Sequence, residues 1–342
     1  MTQTNLPPII GLDIGRSAVK VAFQHNGQRA SFIFPSNVCL AHPIAHEETA
    51  LAAEQDTVTV RGQQYFTGLT ARQQGGHGTL VGMSDEWITK PEYLALVAAA
   101  VKKIESQGVS NLDQAYLIIG SPAAVYDDQR TRLAEITREA INANIKVLPQ
   151  PSGAYFAHIM SQKGVPIPGK AYGSNEQLLD WAVVEVGHYT TDFIMVAEGR
   201  VIAKSFDSTE GIGNCLGALG HLMAARQIKV SDVILTQALI TGKIKHFGKI
   251  LDVSSLVDQA VTPITQKILA KADALFDRDA SALDGIILAG GGARFVYEPL
   301  KQKWPHVGMM DDPRLAVAEG FLRYGLSTAH KVFCTQSAVK MA

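Results

Sequence analysis

The octet Asp13-Ile14-Gly15-Arg16-Ser17-Ala18-Val19-Lys20 closes a short apolar run that begins at Ile9. A carboxylate at a strand end suits a hydrated divalent cation. Gly15 lets the chain turn so that the amides of Arg16, Ser17 and Ala18 face phosphate oxygens. Lys20, on the following strand, brings a point charge to the same anion. Alone, Asp-x-Gly is also what an ordinary strand-turn-strand looks like. The reading gains from a second copy, Glu185-Val186-Gly187-His188-Tyr189-Thr190-Thr191-Asp192, where an apolar strand, Leu179 to Gly187, again ends in an acid and a glycine. Two such turns face to face form a clamp of backbone N–H groups for phosphates, with Asp13, Glu185 and Asp192 left to order the waters of a metal ion. A third segment, Leu288 to Phe295, puts Gly290, Gly291 and Gly292 directly after the apolar strand Gly285 to Ala289 and before a helix that carries Arg294. Glycines there permit close backbone approach to a flat or anionic ligand.

Several other chemistries lack their residues. No GxxxxGK[ST] loop occurs, and Gly211-Ile212-Gly213 with Gly217 misses the GxGxxG spacing by one. The ten histidines suggest no HExxH metal site, and the three cysteines are odd in number and outside any CxxC pair. A net charge of −1 gives no field to draw the surface onto nucleic acid or an anionic membrane. Met1 to Pro8 shows no leader pattern, and the longest apolar run, Leu94 to Val101, is too short to span a bilayer. The cytoplasm is the expected compartment, with no direct nucleic-acid or membrane partner.

These motifs need elements to hold them. The chain has 342 residues, 46% of them hydrophobic and 18% charged, which predicts folded material too long for one ordinary core. In the first half, segments Ala18 to Gln24 and Arg29 to Phe34 meet at Asn26-Gly27, a hairpin signal. In the second, Thr191 to Ala197 and Arg200 to Phe206 meet at Glu198-Gly199. A strand ending in acid-x-Gly and then a hairpin therefore occurs in each half, and this duplication is the strongest architectural signal. Helices are expected at Pro91 to Gln107, Asp127 to Asn142, from about Gly211 to Arg226, near Ser231 to Ile240, from about Val253 to Phe276 and near Arg314 to Leu326. Pro35 to Thr89 reads as an inserted subdomain, and Gly164 to Glu176 as a surface loop.

Taken together, in order and spacing, the three glycine-bearing segments resemble the two phosphate hairpins and the adenosine motif of the actin, Hsp70 and sugar-kinase superfamily. Gln150-Pro151-Ser152-Gly153-Ala154-Tyr155 is similar to its first connecting segment, and Asp312 to Gly320 to its second. Within the superfamily the chain resembles the plasmid-segregation actins of the ParM/StbA type, including the glycine-rich start at Gly211. The resemblance implies an α/β actin-like fold of two duplicated ribonuclease-H-like lobes with a nucleotide cleft between them. Lobe I would be residues 1–150, with the insertion at about 35–90, completed by a C-terminal helix at about 313–342. Lobe II would be 151–312, with a subdomain at about 207–283.

The cofactors implied are ATP, with GTP as the alternative, and Mg²⁺. Asp13 and Glu185 would hold the metal through water, and Lys20 would contact phosphate. Gln150, Glu185 and Asp192 would serve hydrolysis, with Gln150 orienting the attacking water. Gly15, Arg16, Ser17, Ala18, Gly187, His188, Tyr189, Thr190, Gly211, Gly290, Gly291, Gly292 and Arg294 would line the nucleotide. A glutamine cannot take a proton at neutral pH, so hydrolysis would be slow. Two residues depart from the family: Glu185 stands where Asp is usual, and His188 where Gly is usual. The implied function is a filament that assembles with ATP, disassembles on hydrolysis and moves plasmid DNA through a ParR-like adaptor bound to centromeric DNA. The rivals are a small-molecule kinase and a cytoskeletal scaffold.

Overall fold

Asn26-Gly27, Arg61-Gly62, Glu198-Gly199 and Phe247-Gly248 all have positive φ at both residues, the condition for two-residue hairpin turns that match strand twist. They punctuate a computed structural model of the chain in which residues 7–76, 79, 85–276 and 278–340 are described, with backbone alone for 85, 330, 331 and 333–340. Met1 to Leu6, part of the Pro35 to Thr89 insertion and the side chain of Cys334 lie outside the described residues.

In the first half, β1 (Ile9–Ile14), β2 (Ala18–His25) and β3 (Gln28–Pro35) form an antiparallel meander. The insertion folds as β4 (Val38–Leu40), α1 (Glu47–Glu54), β5 (Thr57–Val60), β6 (Gln63–Thr67) and α2 (Gly68–Gln74), its strands making a separate three-stranded sheet. Then α3 (Pro91–Glu105), β7 (Tyr116–Ser121), α4 (Tyr126–Ala140) and β8 (Asn144–Pro149) complete a five-stranded sheet of order β3-β2-β1-β7-β8, with β7 and β8 parallel to β1.

The second half begins with α5 (Gln150–Ile159) and repeats the meander as β9 (Trp181–Val186), β10 (Thr190–Ala197) and β11 (Arg200–Val201). β12 (Asp207–Glu210) also pairs β10, so β11 and β12 share the place that β3 holds alone. A helical subdomain follows: α6 (Leu216–Ala225), α7 (Asp232–Thr241), the hairpin β13 (Lys243–His246) and β14 (Lys249–Asp252), and α8 (Ser254–Phe276). β15 (Gly285–Ala289), α9 (Ala293–Lys303) and β16 (Val307–Met309) give a second sheet of order β11-β10-β9-β15-β16. The chain closes on α10 (Ala316–Lys340), which runs past the Leu326 expected from the pattern, within the 313–342 that the resemblance implied, its inner face staying apolar through Ala329 and Val332. The helix expected from Gly211 opens as a tighter turn, Ile212–Cys215.

The duplication is thus a repeat of topology, and the central strands β1, β9 and β15 are apolar runs covered on both faces, as parallel strands require. On one face of the first sheet lie α3 and α4, and on the other α10 packs through Val317, Phe321 and Leu322. On the second sheet α5 takes the matching place through Ala154, Tyr155 and Ile159. α5 and α10 cross where Gly153 meets Gly320, with no room for a side chain on either. Arg323 donates to the carbonyls of Ala157 and Met160, closing the end of α5. This crossing joins the two sheets behind the cleft.

His158 on α5 lies edge-on to Trp181, ring centroids 4.4 Å apart, and its Nε2 has no hydrogen-bond partner. Burial, with the charge of Lys170 adding, pushes its pKa down from 6.5 to about 4. Between those values the unfolded chain binds a proton that the folded one refuses, so this stability is present above about pH 6.5 and declines as pH falls towards 4. Denaturation midpoints should therefore drop from pH 7 to pH 4.5. His158→Phe should remove about 1–2 kcal/mol of that drop, allowing for the partial exposure of the ring. An identical pH slope in the variant would show that His158 does not contribute.

Candidate functional site

The two acid-x-Gly turns are built alike. Asp13 pairs across the hairpin with Lys20, and Glu185 pairs at the matching register with Asp192. In the first turn the Gly15 amide donates to the Ala18 carbonyl at 3.1 Å; in the second the Gly187 amide donates to Thr190 at 2.9 Å. Each turn is also clamped from outside. Ser36 donates its amide to Ser17 and its hydroxyl to Gly15, while the amides of Gly211, Ile212 and Gly213 donate to the carbonyls of Tyr189, Gly187 and His188. A Cβ at Gly211 would strike the backbone of His188 and Tyr189, so its glycine serves the packing of that turn.

Between the turns lies one cleft. Its walls bring together Asp13, Gly15, Arg16, Ser17, Lys20 and Gln150 from one side with Glu185, Gly187, His188, Tyr189 and Thr190 from the other. Asp13 is buried and holds two partners: Lys20 Nζ reaches Oδ2 at 2.8 Å, and Gln150 Nε2 donates to Oδ1 at 2.8 Å. Because Asp13 accepts, the amide nitrogen of Gln150 faces it and the amide oxygen is left to accept from another group. Burial opposes the charge on Lys20, but Asp13 and Glu185 outweigh it and raise its pKa. Burial pushes Glu185 up to about 8; Lys20 pulls it down while Asp13 and Asp192 add to the rise.

Asp192 does not reach the cleft. It is fully buried, and Oδ1 accepts from the Ala123 amide at 3.2 Å while Oδ2 accepts from the Thr190 hydroxyl at 3.0 Å. Burial raises its pKa to about 6 in spite of these bonds. Its carboxylate ties β10 to the turn after β7, one sheet to the other. Ala18 is buried in β2. The glycine triplet also divides. Side chains at Gly290 or Gly292 would collide with Val186, whereas at Gly291 the neighbour is the stem of Arg314 at 3.7 Å, an ordinary contact. Gly290 has φ +89, so any other residue is strained there. The Arg294 guanidinium donates to the Leu239 carbonyl and lies over Phe295, beside a different depression near Gly242 and Ser254.

His188 folds its ring back onto Gly213, where a Cβ would overlap the imidazole, and meets Tyr189 at 5.0 Å. Burial lowers its pKa. The cleft continues into an apolar recess of Trp87, Ile88, Tyr93, Val125 and Leu133, with the Arg16 guanidinium 5.9 Å over the Trp87 ring. None of the five recess residues was read as a site residue, since Trp87 and Ile88 fall in the inserted stretch Pro35 to Thr89, and Tyr93, Val125 and Leu133 lie outside the glycine-bearing motifs. His42 and His46 do stand four residues apart, but His46 caps α1 at Thr49 and His42 lies against Phe66. Among the described residues no group of three or more His, Cys, Asp or Glu side chains could hold a metal directly. Two carboxylates and a lysine on a turn-lined cleft fit instead a hydrated cation shared with a polyphosphate.

Two family profiles match: "Actin like proteins N terminal domain" over residues 11–153 and "Archaeal actin homologue MreB-like, C-terminal" over 183–302. No curated protein matches by sequence. Among solved structures, a 15-stranded ParM filament from Clostridium botulinum is similar at TM-score 0.70 and 19% identity, covering 94% of this chain and 99% of that one. An archaeal actin homologue, Ta0583, in complex with ADP gives 0.68 and 16%, covering 95% and 99%. Bacillus thuringiensis ParM with AMPPNP gives 0.62 and 12%, covering 92% and 97%. With one actin-like profile on each sheet and the duplicated sheets closing a turn-lined cleft in the fold of those structures, the chain belongs to the actin-like proteins.

Proposed function

We propose that this protein binds Mg-ATP between its two sheets, polymerises in that state and hydrolyses the nucleotide slowly. The observation that carries the reading is the pair of matching turns, each ending a buried strand with a carboxylate, Asp13 or Glu185, that faces one cleft. When bound, Mg²⁺ would supply positive charge to the phosphates, with Asp13 and Glu185 holding it through water. Lys20 would add its charge to the phosphate side, and the turns at Arg16-Ser17 and His188-Tyr189 would cradle the phosphate chain. Gln150, anchored by Asp13, would present its amide oxygen to the attacking water. Gly291 is the member of the triplet with space to lie against the nucleoside.

The moving bodies would be residues 1–150 with the helix at 313–342, and residues 151–312, swivelling about the α5–α10 crossing. Nucleotide would bridge them and fix the shape that assembles head to tail; its hydrolysis would release that shape. The cargo would be plasmid DNA held by a ParR-like adaptor in the cytoplasm. No helix among the described residues is long and apolar enough to cross a membrane. Light scattering and pelleting with ATP, GTP or neither, with and without Mg²⁺, test the reading. Nucleotide-dependent polymer supports it, and none under any condition rejects it.

The recess at Trp87, Tyr93 and Leu133 favours one second reading, a kinase whose acceptor occupies it. Phosphate release that needs no added acceptor would exclude that reading. Asp13→Ala should weaken Mg-ATP binding at least tenfold, about 1.5–3 kcal/mol for one charged contact, and calorimetry reads it directly. Unchanged affinity in the folded variant would remove Asp13 from the site.

A further inference from the structure

The four X-Gly hairpin turns differ in one respect. Asn26, Arg61 and Glu198 hold the first position with polar side chains, and the β13–β14 turn holds it with Phe247. Its φ of 45 is a conformation bulky residues avoid, and the residue is 93% exposed, its ring meeting the half-buried His246 ring edge-on at 4.3 Å. Strain and exposure both argue against an aromatic at this place unless something covers it. Around it the hairpin shows Lys243, Lys245 and Lys249 exposed, with Ile250 opposite Lys245 and 66% exposed, and Asp252 offsetting one charge. Ile244, on the other face, is buried, so the finger is seated rather than loose.

A complementary surface lies at the other pole of the same lobe. Asp180, Glu198 and Asp284 sit at the ends of β9, β10 and β15 away from the cleft. They are tied together as the Glu198 amide donates to Asp180 at 2.8 Å and the Asp180 amide to Asp284 at 2.7 Å. Leu178, 52% exposed, lies over the Gly199 turn, with Glu176 two residues before it. The bases nearest in sequence to these residues are Lys170, Arg200 and Arg278, against the acids Glu176, Asp180, Glu198, Asp279 and Asp284, so acid predominates over base around an exposed leucine. From the finger, α8 runs back towards this pole over 23 residues, about 34 Å at the usual helical rise. The two surfaces therefore lie at opposite ends of one lobe. A contact between unlike ends repeats without closing.

We infer that Phe247 is an anchor by which one copy of this chain docks on the Leu178, Glu198 and Asp284 pole of the next. This rests on the filament reading above and names its contact. One aromatic side chain is the central anchor of a larger interface, not the whole of it. The basic flank steers the finger towards the acidic pole and sets its direction.

The variant F247N is suited to the test because Asn-Gly is the favoured pair for this turn, so the hairpin is kept while the ring is removed. Its thermal midpoint and nucleotide affinity should equal or exceed those of the parent, and its critical concentration in Mg-ATP should rise about tenfold or more. L178D should do the same from the other pole. An equimolar mixture of F247N and L178D has only one intact finger-to-pole junction, so sedimentation velocity should show dimers and no polymer. Parental polymer in F247N overturns this inference alone; a parent that never polymerises overturns it together with the filament reading. Pelleting of the parent with phosphatidylserine vesicles, lost in F247N while polymer is retained, would assign the finger to a membrane and reject the docking contact.

Discussion

Replacing Gln150 with alanine is expected to slow phosphate release by about a hundredfold or more while leaving Mg-ATP binding and assembly in place. The geometry separates the two effects. Gln150 stands at the start of α5, where the chain leaves the first sheet for the second, and its amide nitrogen is held by Asp13 at 2.8 Å. Removing it takes away one neutral hydrogen bond to Asp13, which keeps Lys20 at 2.8 Å, so the carboxylate remains paired. What is lost is the amide oxygen that would order the water, and nothing else in the glutamine can act as a base. Filaments of the variant should therefore outlast those of the parent after a pulse of ATP, because the step that weakens subunit contacts has been slowed. A paired time course of released phosphate and pelletable polymer measures both. Hydrolysis at the parental rate would take Gln150 out of the mechanism. Loss of polymer in the variant alone would mean that the residue shapes the assembling state rather than the chemistry.

The second large effect lies behind the cleft. Gly320→Val should destabilise the protein by about 3 kcal/mol, roughly 4 °C in midpoint for a chain of this length, since a Cβ at this position would fall on the Gly153 carbonyl and crowd the Ala157 amide. Neither backbone can yield separately. Gly153 is itself pressed against Val317, and α10 is held to β1 where Gly11 meets Ala318 and Leu322. The helices must part, and as they part the sheets on which they lie must tilt. Nucleotide affinity should then fall about tenfold beyond what unfolding explains, measured well below the midpoint. A control at Gly217, where no atom lies within 4 Å of an added Cβ, should cost far less. Gly320→Val with parental stability would mean that the crossing adjusts freely and is no hinge.

The distribution of legible and illegible features follows from how far each depends on distant parts of the chain. Asp13, Gly15 and Lys20, and their counterparts Glu185 and Gly187, were readable because a carboxylate and a glycine after an apolar strand define a local backbone shape. Asn26-Gly27 and Glu198-Gly199 were readable because only a few residues tolerate positive φ. The β13–β14 hairpin went unread, since Phe247 is not a residue that turn chemistry predicts.

By itself the sequence determined the duplication, the two turns that carry acid and glycine, the glycine triplet and the absence of other nucleotide-binding motifs. Only the tertiary structure decided which equivalent residues share a role. Lys20 and Asp192 hold the same register in the two hairpins, yet Lys20 faces the cleft and Asp192 is buried against Ala123 from the other sheet. Gly290 and Gly292 are required by Val186, more than a hundred residues away in the chain, while Gly291 is free of it. The physical reason is the same in each case. Backbone conformation is set by neighbours in sequence, but whether a side chain meets solvent, a ligand or a packed core is set by elements that fold onto it from elsewhere.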